Sequence, residues 1–182
     1  MNIHDVLHRS TSSGEVLCIY CDNANTNTFS AGIIQDSDEA FVLINHLTPD
    51  GDYDGYMLRR IDDIYLIESN NKYALSLCKM YAQKEKKHMM IGKDPGSIME
   101  RLLKYAKEGG LIVSIELCAS GYCDVQGFLT CIDNDHIAVR IIDDTGKEDG
   151  EAYIECDAVT KIICDSEDET SLEELYKEAN SN

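Results

Sequence analysis

The chain has 182 residues, of which 43% are apolar and 27% are charged, and its formal net charge is −18 at pH 7. The apolar share is large enough to build a core, which excludes a wholly disordered chain. The negative field repels phosphate backbones, so any role in binding nucleic acid would have to overcome that field locally, and no DNA partner is expected. The acids are concentrated in residues 93–182, where 21 Asp and Glu stand against 8 Lys and Arg.

No apolar run approaches the roughly 18 residues that a membrane helix needs. The first five residues, Met1 to Asp5, have neither the basic start nor the apolar centre of a signal peptide. These patterns predict a cytoplasmic protein with no membrane partner. The eight cysteines are then expected to be reduced, and most of them lie in apolar runs, where cysteine behaves as a small buried hydrophobe.

The first half of the chain is predicted to form a helix, five strands and a second helix. Ile3, Val6 and Leu7 indicate a short helix that breaks up from Ser10 to Gly14. Alternating apolar residues and polar turns predict the five strands Val16–Cys21, Thr28–Gln35, Phe41–Leu47, Tyr56–Arg60 and Ile64–Glu68. Helical spacing returns at the four residues Tyr73, Leu77, Met80 and Tyr81.

The second half shows the same order of elements after a linker at residues 84–92. Asp94 as a cap and Pro95 in the first turn predict a helix with an apolar stripe that includes Ile98 and Leu102. Five strands follow, at Val113–Leu117, Val125–Ile132, Ile137–Ile142, Ala152–Cys156 and Val159–Cys164. A closing helix is indicated by Leu172, Leu175 and Tyr176.

One shift of 95 residues aligns the landmarks of the two halves. It places Gly32 on Gly127, Asp38 on Asp133 and Leu77 on Leu172, which indicates an internal duplication. We therefore expect two domains, residues 1–88 and 93–182. Because five short strands cannot bury two faces as a flat sheet, each domain is expected to curl into a small barrel, with Gly32 or Gly127 at a sharp bend.

Two stretches carry a resemblance to a known family: Gly32 to Ile44, GIIQDSDEAFVLI, and Gly127 to Asp133, GFLTCID. In both, a hydrophobe lies two residues after the glycine and an aspartate lies six residues after it. With the preceding helix and the five strands, this pattern resembles the Sm-like fold of the Sm proteins and of the bacterial Hfq RNA chaperone. The resemblance implies a mainly β chain with flanking helices, built from two tandem Sm-like (SH3-type) five-stranded barrels.

The resemblance also implies a location for RNA. In the family, bases bind between the turn after strand two and the turn after strand four. In the first copy, the residues at these positions are Asp38, Phe41, Arg59 and Arg60. An arginine of the family pattern is kept there, whereas the glycine that follows it in Sm proteins is replaced.

The second copy departs further from the family. His136 follows its turn after strand two, where the family places a base-stacking side chain, and an exposed turn histidine is the alternative interpretation. Glu155, Cys156 and Asp157 put acids where the family carries cations. The acidity of the chain disfavours RNA binding, and any such binding is expected in the first copy only, because phosphate contacts need cations.

Three other patterns indicate metal sites, each with a plainer alternative. Asp50, Asp52 and Asp54 match the start of a calcium loop, but its twelfth position is Ile61 instead of glutamate, and a solvated acidic turn is the alternative. The cysteine pairs 18/21 and 118/123 have zinc-like spacing, but residues three apart on a strand point to opposite faces. His4 and His8 lie one helical turn apart and lack a nearby third ligand in the sequence.

No phosphate-binding loop, nucleophile elbow or carboxylate pair on a defined scaffold is present in the sequence, which predicts a non-enzymatic protein without a cofactor. The first functional hypothesis is action through protein–protein contacts, either with a protein partner or as a homo-oligomer assembled by strand edges. RNA binding by the first copy is the second hypothesis. Calcium-modulated binding through the Asp50–Asp54 loop is the third.

Overall fold

The computed structural model describes residues 2–92 and 95–181 and divides into two compact units, Met1–Met90 and Ile91–Asn182. Both units consist mainly of antiparallel strands with a helix before and after them, so the predicted mainly β class is confirmed. Lys93, with which the second expected domain begins, and Asp94, the expected helix cap, lie outside the described residues. No helix in the described ranges is long and apolar enough to cross a membrane.

Among the described residues, each unit contains two α-helices, one short 3-10 helix and five strands. The helices are α1 (Ile3–Ser13), α2 (Lys72–Gln83), α3 (Ile98–Gly109) and α4 (Glu167–Ala179). The strands of the first unit are β1 (Val16–Tyr20), β2 (Ser30–Ser37), β3 (Phe41–Leu47), β4 (Tyr53–Arg60) and β5 (Leu66–Ser69). Those of the second unit are β6 (Ile112–Leu117), β7 (Val125–Ile132), β8 (His136–Ile142), β9 (Glu148–Glu155) and β10 (Val159–Cys164).

The two units repeat one plan in detail. Shifting β2, β3 and β4 by 95 residues gives the bounds of β7, β8 and β9. The irregularities in strand pairing recur at the same shift, between Ile34 and Asp36 in one unit and between Leu129 and Cys131 in the other. Only the first strand needs a shift of 96, since α3 is one residue longer than α1. Bulges bend a strand locally, so their recurrence shows that the two sheets bend at equivalent positions.

The closed barrels expected from the sequence are not confirmed. The strand order is β5-β1-β2-β3-β4 in the first unit and β10-β6-β7-β8-β9 in the second, and among the described residues neither series closes by pairing its own two ends. The physical reason lies in the closing helices, which cover a sheet face. Leu77 of α2 packs with Val16 and Leu47, and Leu172 of α4 packs with Ile112 and Ile142.

The starts and ends of the opening helices differ from prediction. α1 begins with a capping box formed by Asn2 and Asp5, and it does not dissolve at Ser10. It continues to Ser13, and the N–H of Gly14 bonds the carbonyl of Ser10 where the helix ends. α3 begins at Ile98 behind a Ser97 cap, so Pro95 lies outside it. Gly14 and Gly110 end the two helices in the left-handed conformation.

The glycine and the aspartate of the repeated pattern have the same structural role in both units. A Cβ on Gly32 would lie 2.4 Å from the carbonyl oxygen of Asn45, and one on Gly127 would lie 1.9 Å from that of Arg140. Glycine is required at both positions because the neighbouring strand approaches so closely. The aspartates that follow, Asp38 and Asp133, each brace the next turn by accepting two backbone N–H groups.

Candidate interaction surface

The residues expected to bind RNA lie together in the first unit. Phe41 on β3 is paired with Arg60 on β4, and the Arg60 guanidinium lies 5.7 Å from the centre of the Phe41 ring. Arg59 is paired with Val42 one position along. Phe41 is only 8% exposed, however, and the Oδ1 atom of Asp38 accepts hydrogen bonds from the backbone N–H groups of Ala40 and Phe41. The ring therefore offers little surface to a base, although two cations lie nearby.

The equivalent pair in the second unit has the opposite charge character. His136 on β8 is paired with Glu155 on β9, and its Nε2 atom lies 3.1 Å from the Glu155 carboxylate. Its Nδ1 atom lies 3.6 Å from Asp133. Backbone N–H groups of His136 and Asp135 lower the pKa of Asp133, which keeps that carboxylate charged. An exposed histidine between two carboxylates is a poor site for an anionic backbone.

The three aspartates of the calcium pattern do not converge. Asp52 forms an ion pair of 2.8 Å with Lys84, and the Oδ2 atom of Asp54 lies 2.9 Å from Nδ1 of His46, whereas Asp50 is exposed. The Lys84 ammonium and the His46 ring are therefore already the partners of two of the carboxylates that a calcium ion would need. Across residues 2–92 and 95–181, no group of three or more His, Cys, Asp or Glu residues is arranged to hold a metal ion.

The cysteines are less buried than their apolar neighbours predicted. Only Cys18 and Cys164 are buried, while Cys118, Cys123 and Cys131 are exposed, so the expectation of mainly buried thiols is wrong. Cys118 and Cys123 lie in the turn between β6, which ends at Leu117, and β7, which begins at Val125, and this position leaves them exposed. Although Cys123 is exposed, partial desolvation of its sulfur by the surrounding protein raises the pKa of the thiol, and a raised pKa lowers its reactivity. His4 and His8 are both exposed on α1.

The contacts of His88, which lies in the predicted linker, were not predicted from the sequence. The Nε2 atom of His88 lies 2.8 Å from the carbonyl oxygen of Gly55, and its Nδ1 atom lies 2.8 Å from the hydroxyl of Tyr81. The His88 ring also stacks on Tyr53 with centroids 4.3 Å apart. The next residue, Met89, exchanges two backbone hydrogen bonds with the hydroxyl of Tyr56. These contacts fasten the segment 84–89 to the first unit.

A buried carboxylate in the second unit also escaped prediction. Glu169 is 3% exposed and accepts hydrogen bonds from the hydroxyls of Ser114 and Ser166, and Gln126 donates to Ser114 over 2.8 Å. Glu169 is also the third residue of α4 and completes its capping box with Ser166. Both carboxylate oxygens have donors, so the cluster has the properties of a structural polar core.

A surface feature that no motif explains is mainly aromatic and lies in the first unit. Tyr20 contacts Phe29 with ring centroids 5.1 Å apart, Phe29 contacts Tyr73 at 5.4 Å, and Tyr65 lies 6.4 Å from Tyr20. Leu66 stands opposite Tyr20 on the neighbouring strand. We call these five residues the aromatic surface. No periodic pattern in one element predicts it, since its members come from β1, β5, α2 and two connecting loops.

Comparison of the chain with protein-family models, curated proteins and solved structures finds no match.

Proposed function

We propose that the chain is a tandem Sm-like protein that acts through protein–protein contacts and performs no chemistry of its own. The Sm-like assignment is supported by the features that carried the resemblance: a helix and five antiparallel strands in each unit, a tightly packed glycine in the second strand, and an aspartate six residues later that braces the turn. Location in the cytoplasm is part of the same proposal.

The observation that carries this function is the open end of the first unit's strand series at β5. In the part of the chain that the structure describes, β5 has β1 as its single strand neighbour. Tyr65 and Leu66 at this edge are 41% and 42% exposed. An edge strand presents N–H and C=O groups to any extended segment, and natural proteins usually protect such edges with charge or with proline. Two apolar side chains at the edge favour contact over protection.

A second copy of the chain fits this edge poorly. The edge strand of the second unit, β9, carries the four acids Glu148, Asp149, Glu151 and Glu155. Beside β5 these acids would meet Glu68, and like charges on adjacent strands destabilise pairing. A different protein is therefore the favoured partner, and assembly into a homo-oligomer is the competing outcome.

The edge proposal predicts that one partner is lost when β5 is altered. Full-length protein immobilised on a support is expected to retain a stoichiometric partner from extract of its source cells, and Leu66→Lys is expected to abolish retention. Lysine is compatible with this fold because Lys161 occupies the equivalent position of the second unit. The control is Tyr153→Lys, which alters a tyrosine on β9 that is 76% exposed. Retention that survives Leu66→Lys, or that Tyr153→Lys abolishes equally, contradicts the proposal.

RNA binding through the first unit is the second candidate, because Arg60 lies over Phe41 where the family binds bases. We expect no saturable binding of U-rich or A-rich oligonucleotides in a filter-binding titration at low salt up to tens of micromolar. Low salt strengthens phosphate contacts, so failure there is informative. Saturable binding that is lost in Arg60→Ala but kept in Arg140→Ala, an arginine already paired with Glu148, would favour RNA over a protein partner.

A further inference from the structure

The aromatic surface is a specialisation of the first unit. Aligning the units by strand register gives a polar residue at each of its positions in the second unit: Tyr20 corresponds to Glu116, Phe29 to Asp124, Tyr65 to Thr160, Leu66 to Lys161 and Tyr73 to Asp168. The apolar pair Tyr20 and Leu66 thus stands where the second unit has an ion pair of 2.8 Å between Glu116 and Lys161. The fold itself does not require these aromatic residues.

The surface is open to solvent. Phe29 and Tyr73 are each 38% exposed, and Tyr65 and Leu66 are slightly more so. The ring centroids lie 5.1 to 6.4 Å apart, so the rings contact one another and form a continuous apolar platform. No space between the rings is left to enclose a side chain. Contiguous exposed aromatic groups are characteristic of binding surfaces.

Acidic residues lie beside this platform. The Glu68 carboxylate on β5 accepts a hydrogen bond of 2.9 Å from the hydroxyl of Tyr20. Burial raises the pKa of the Tyr73 hydroxyl, and the Cys18 thiol and then the Asp50 carboxylate add smaller effects in the same direction. A cationic side chain placed on the rings would gain both cation–π attraction and these carboxylates.

We propose that the aromatic surface and the adjoining edge of β5 bind an extended, basic segment of a partner protein, with its main chain paired to β5 and its Arg or Lys side chains on the tyrosine rings. The inference rests on the proposed function and names the chemistry of its partner. Main-chain pairing supplies the extended geometry, and alternate side chains of a strand fall on one face. The acidic surroundings select cationic side chains for that face.

A defined peptide tests the inference with full-length protein. The probe is a fluorescent peptide of about eight residues that alternates arginine with valine, titrated by fluorescence anisotropy at low salt. We expect saturable binding that an acidic peptide with glutamate for arginine does not show. A version methylated on alternate backbone nitrogens is expected to bind at least about tenfold more weakly, because it cannot pair with a strand edge. Equal binding of all three peptides overturns the inference.

Two substitutions copy residues that the second unit already carries. Phe29→Asp and Tyr73→Asp add negative charge, so purely electrostatic attraction of the basic peptide would increase in both variants. Docking on the rings predicts the reverse, a loss of about tenfold or more in affinity. The control is Tyr122→Asp, at a tyrosine that is 75% exposed on a loop of the second unit. Unchanged or increased affinity in the two first-unit variants overturns the inference, as does an equal loss in the control.

The charge component has its own matched pair. Glu68→Gln keeps an acceptor for Tyr20 and is expected to weaken peptide binding and reduce its salt dependence, whereas Glu151→Gln, next to Tyr153, is expected to leave both unchanged. Light scattering that shows a dimer dispersed by Phe29→Asp would overturn the inference in favour of a second copy. If Leu66-dependent partner retention holds while the basic peptide fails to bind, the inference alone is overturned. If both fail, the proposed function is overturned with it.

Discussion

Replacing Gly127 with alanine is expected to lower the free energy of unfolding by about 3–5 kcal/mol. The new Cβ would lie 1.9 Å from the carbonyl oxygen of Arg140, which belongs to the neighbouring strand β8. A backbone atom can move aside only if the pairing of β7 with β8 is disturbed. Urea-induced unfolding followed by circular dichroism measures the change. A smaller loss in the same direction is expected for Gly32→Ala, whose Cβ would lie 2.4 Å from the carbonyl oxygen of Asn45.

Gly121→Ala is the matched control for Gly127→Ala. Gly121 lies in a loop of the same unit with φ +82°, and a Cβ there would meet no atom within 4 Å. Its expected cost is therefore only the penalty for a left-handed alanine, about 1–2 kcal/mol. If Gly127→Ala were no more destabilising than Gly121→Ala, the result would contradict the close approach of β7 and β8 at Gly127.

The second large effect concerns the stability of the first unit in acid. Burial lowers the pKa of His88 to about 4, although hydrogen bonds to the backbone of Gly55 and His46 partly oppose it. Smaller electrostatic effects of the His46 ring and Lys86 act in the same direction as burial. The Nε2 atom faces a carbonyl and must donate, so Nδ1 accepts a hydrogen bond from the hydroxyl of Tyr81. A second proton on the ring would displace that donor.

We expect the free energy of unfolding to fall as the pH drops from about 6.5 to about 4. Because folding lowers the pKa of His88, the unfolded chain binds more protons than the folded chain within this interval, and acid therefore favours unfolding. The contribution is fully present above pH 6.5 and is lost below about 4. Its size is about 1–2 kcal/mol once the partial exposure of the ring to solvent is taken into account.

His88→Gln tests this assignment, because glutamine does not titrate. The variant is expected to show a flatter dependence of unfolding free energy on pH between 4 and 6.5, measured by urea unfolding at several pH values. The same substitution at His8, an exposed histidine of α1, is the control and should leave the slope unchanged. An unchanged slope in His88→Gln would show that another group causes the loss of stability in acid.

The repeat of strands and helices could be predicted from the sequence because each element has a local signal. Alternation of apolar residues marked strands such as Val125–Ile132, which the structure reproduces as β7. Barrel closure could not be predicted, because it depends on what covers the sheet. Leu77 and Leu172 belonged to helices already predicted, but only the tertiary structure shows that these helices cover the sheets.

The candidate binding surface could not be predicted from the sequence. Its residues are separated by up to 53 positions, from Tyr20 to Tyr73, and none of them belongs to a recognised motif. By contrast, the motif-based sites were found easily, but their side chains have other partners: Asp52 is paired with Lys84, and Phe41 is buried beside Arg60. Short motifs specify residue order, whereas a binding surface depends on which side chains the fold leaves exposed.

Nuclear magnetic resonance on the full-length protein tests the duplicated fold most directly. Cross-strand contacts between backbone protons are expected between Gly32 and His46 in the first unit and between Gly127 and Ile141 in the second. These two pairs occupy equivalent positions in the two units. Further contacts are expected to pair Leu17 with Ser69 and, in the second unit, Val113 with Cys164. This set of contacts in both halves is the result that two copies of one five-stranded unit predict. A register in one half that has no counterpart in the other would contradict it.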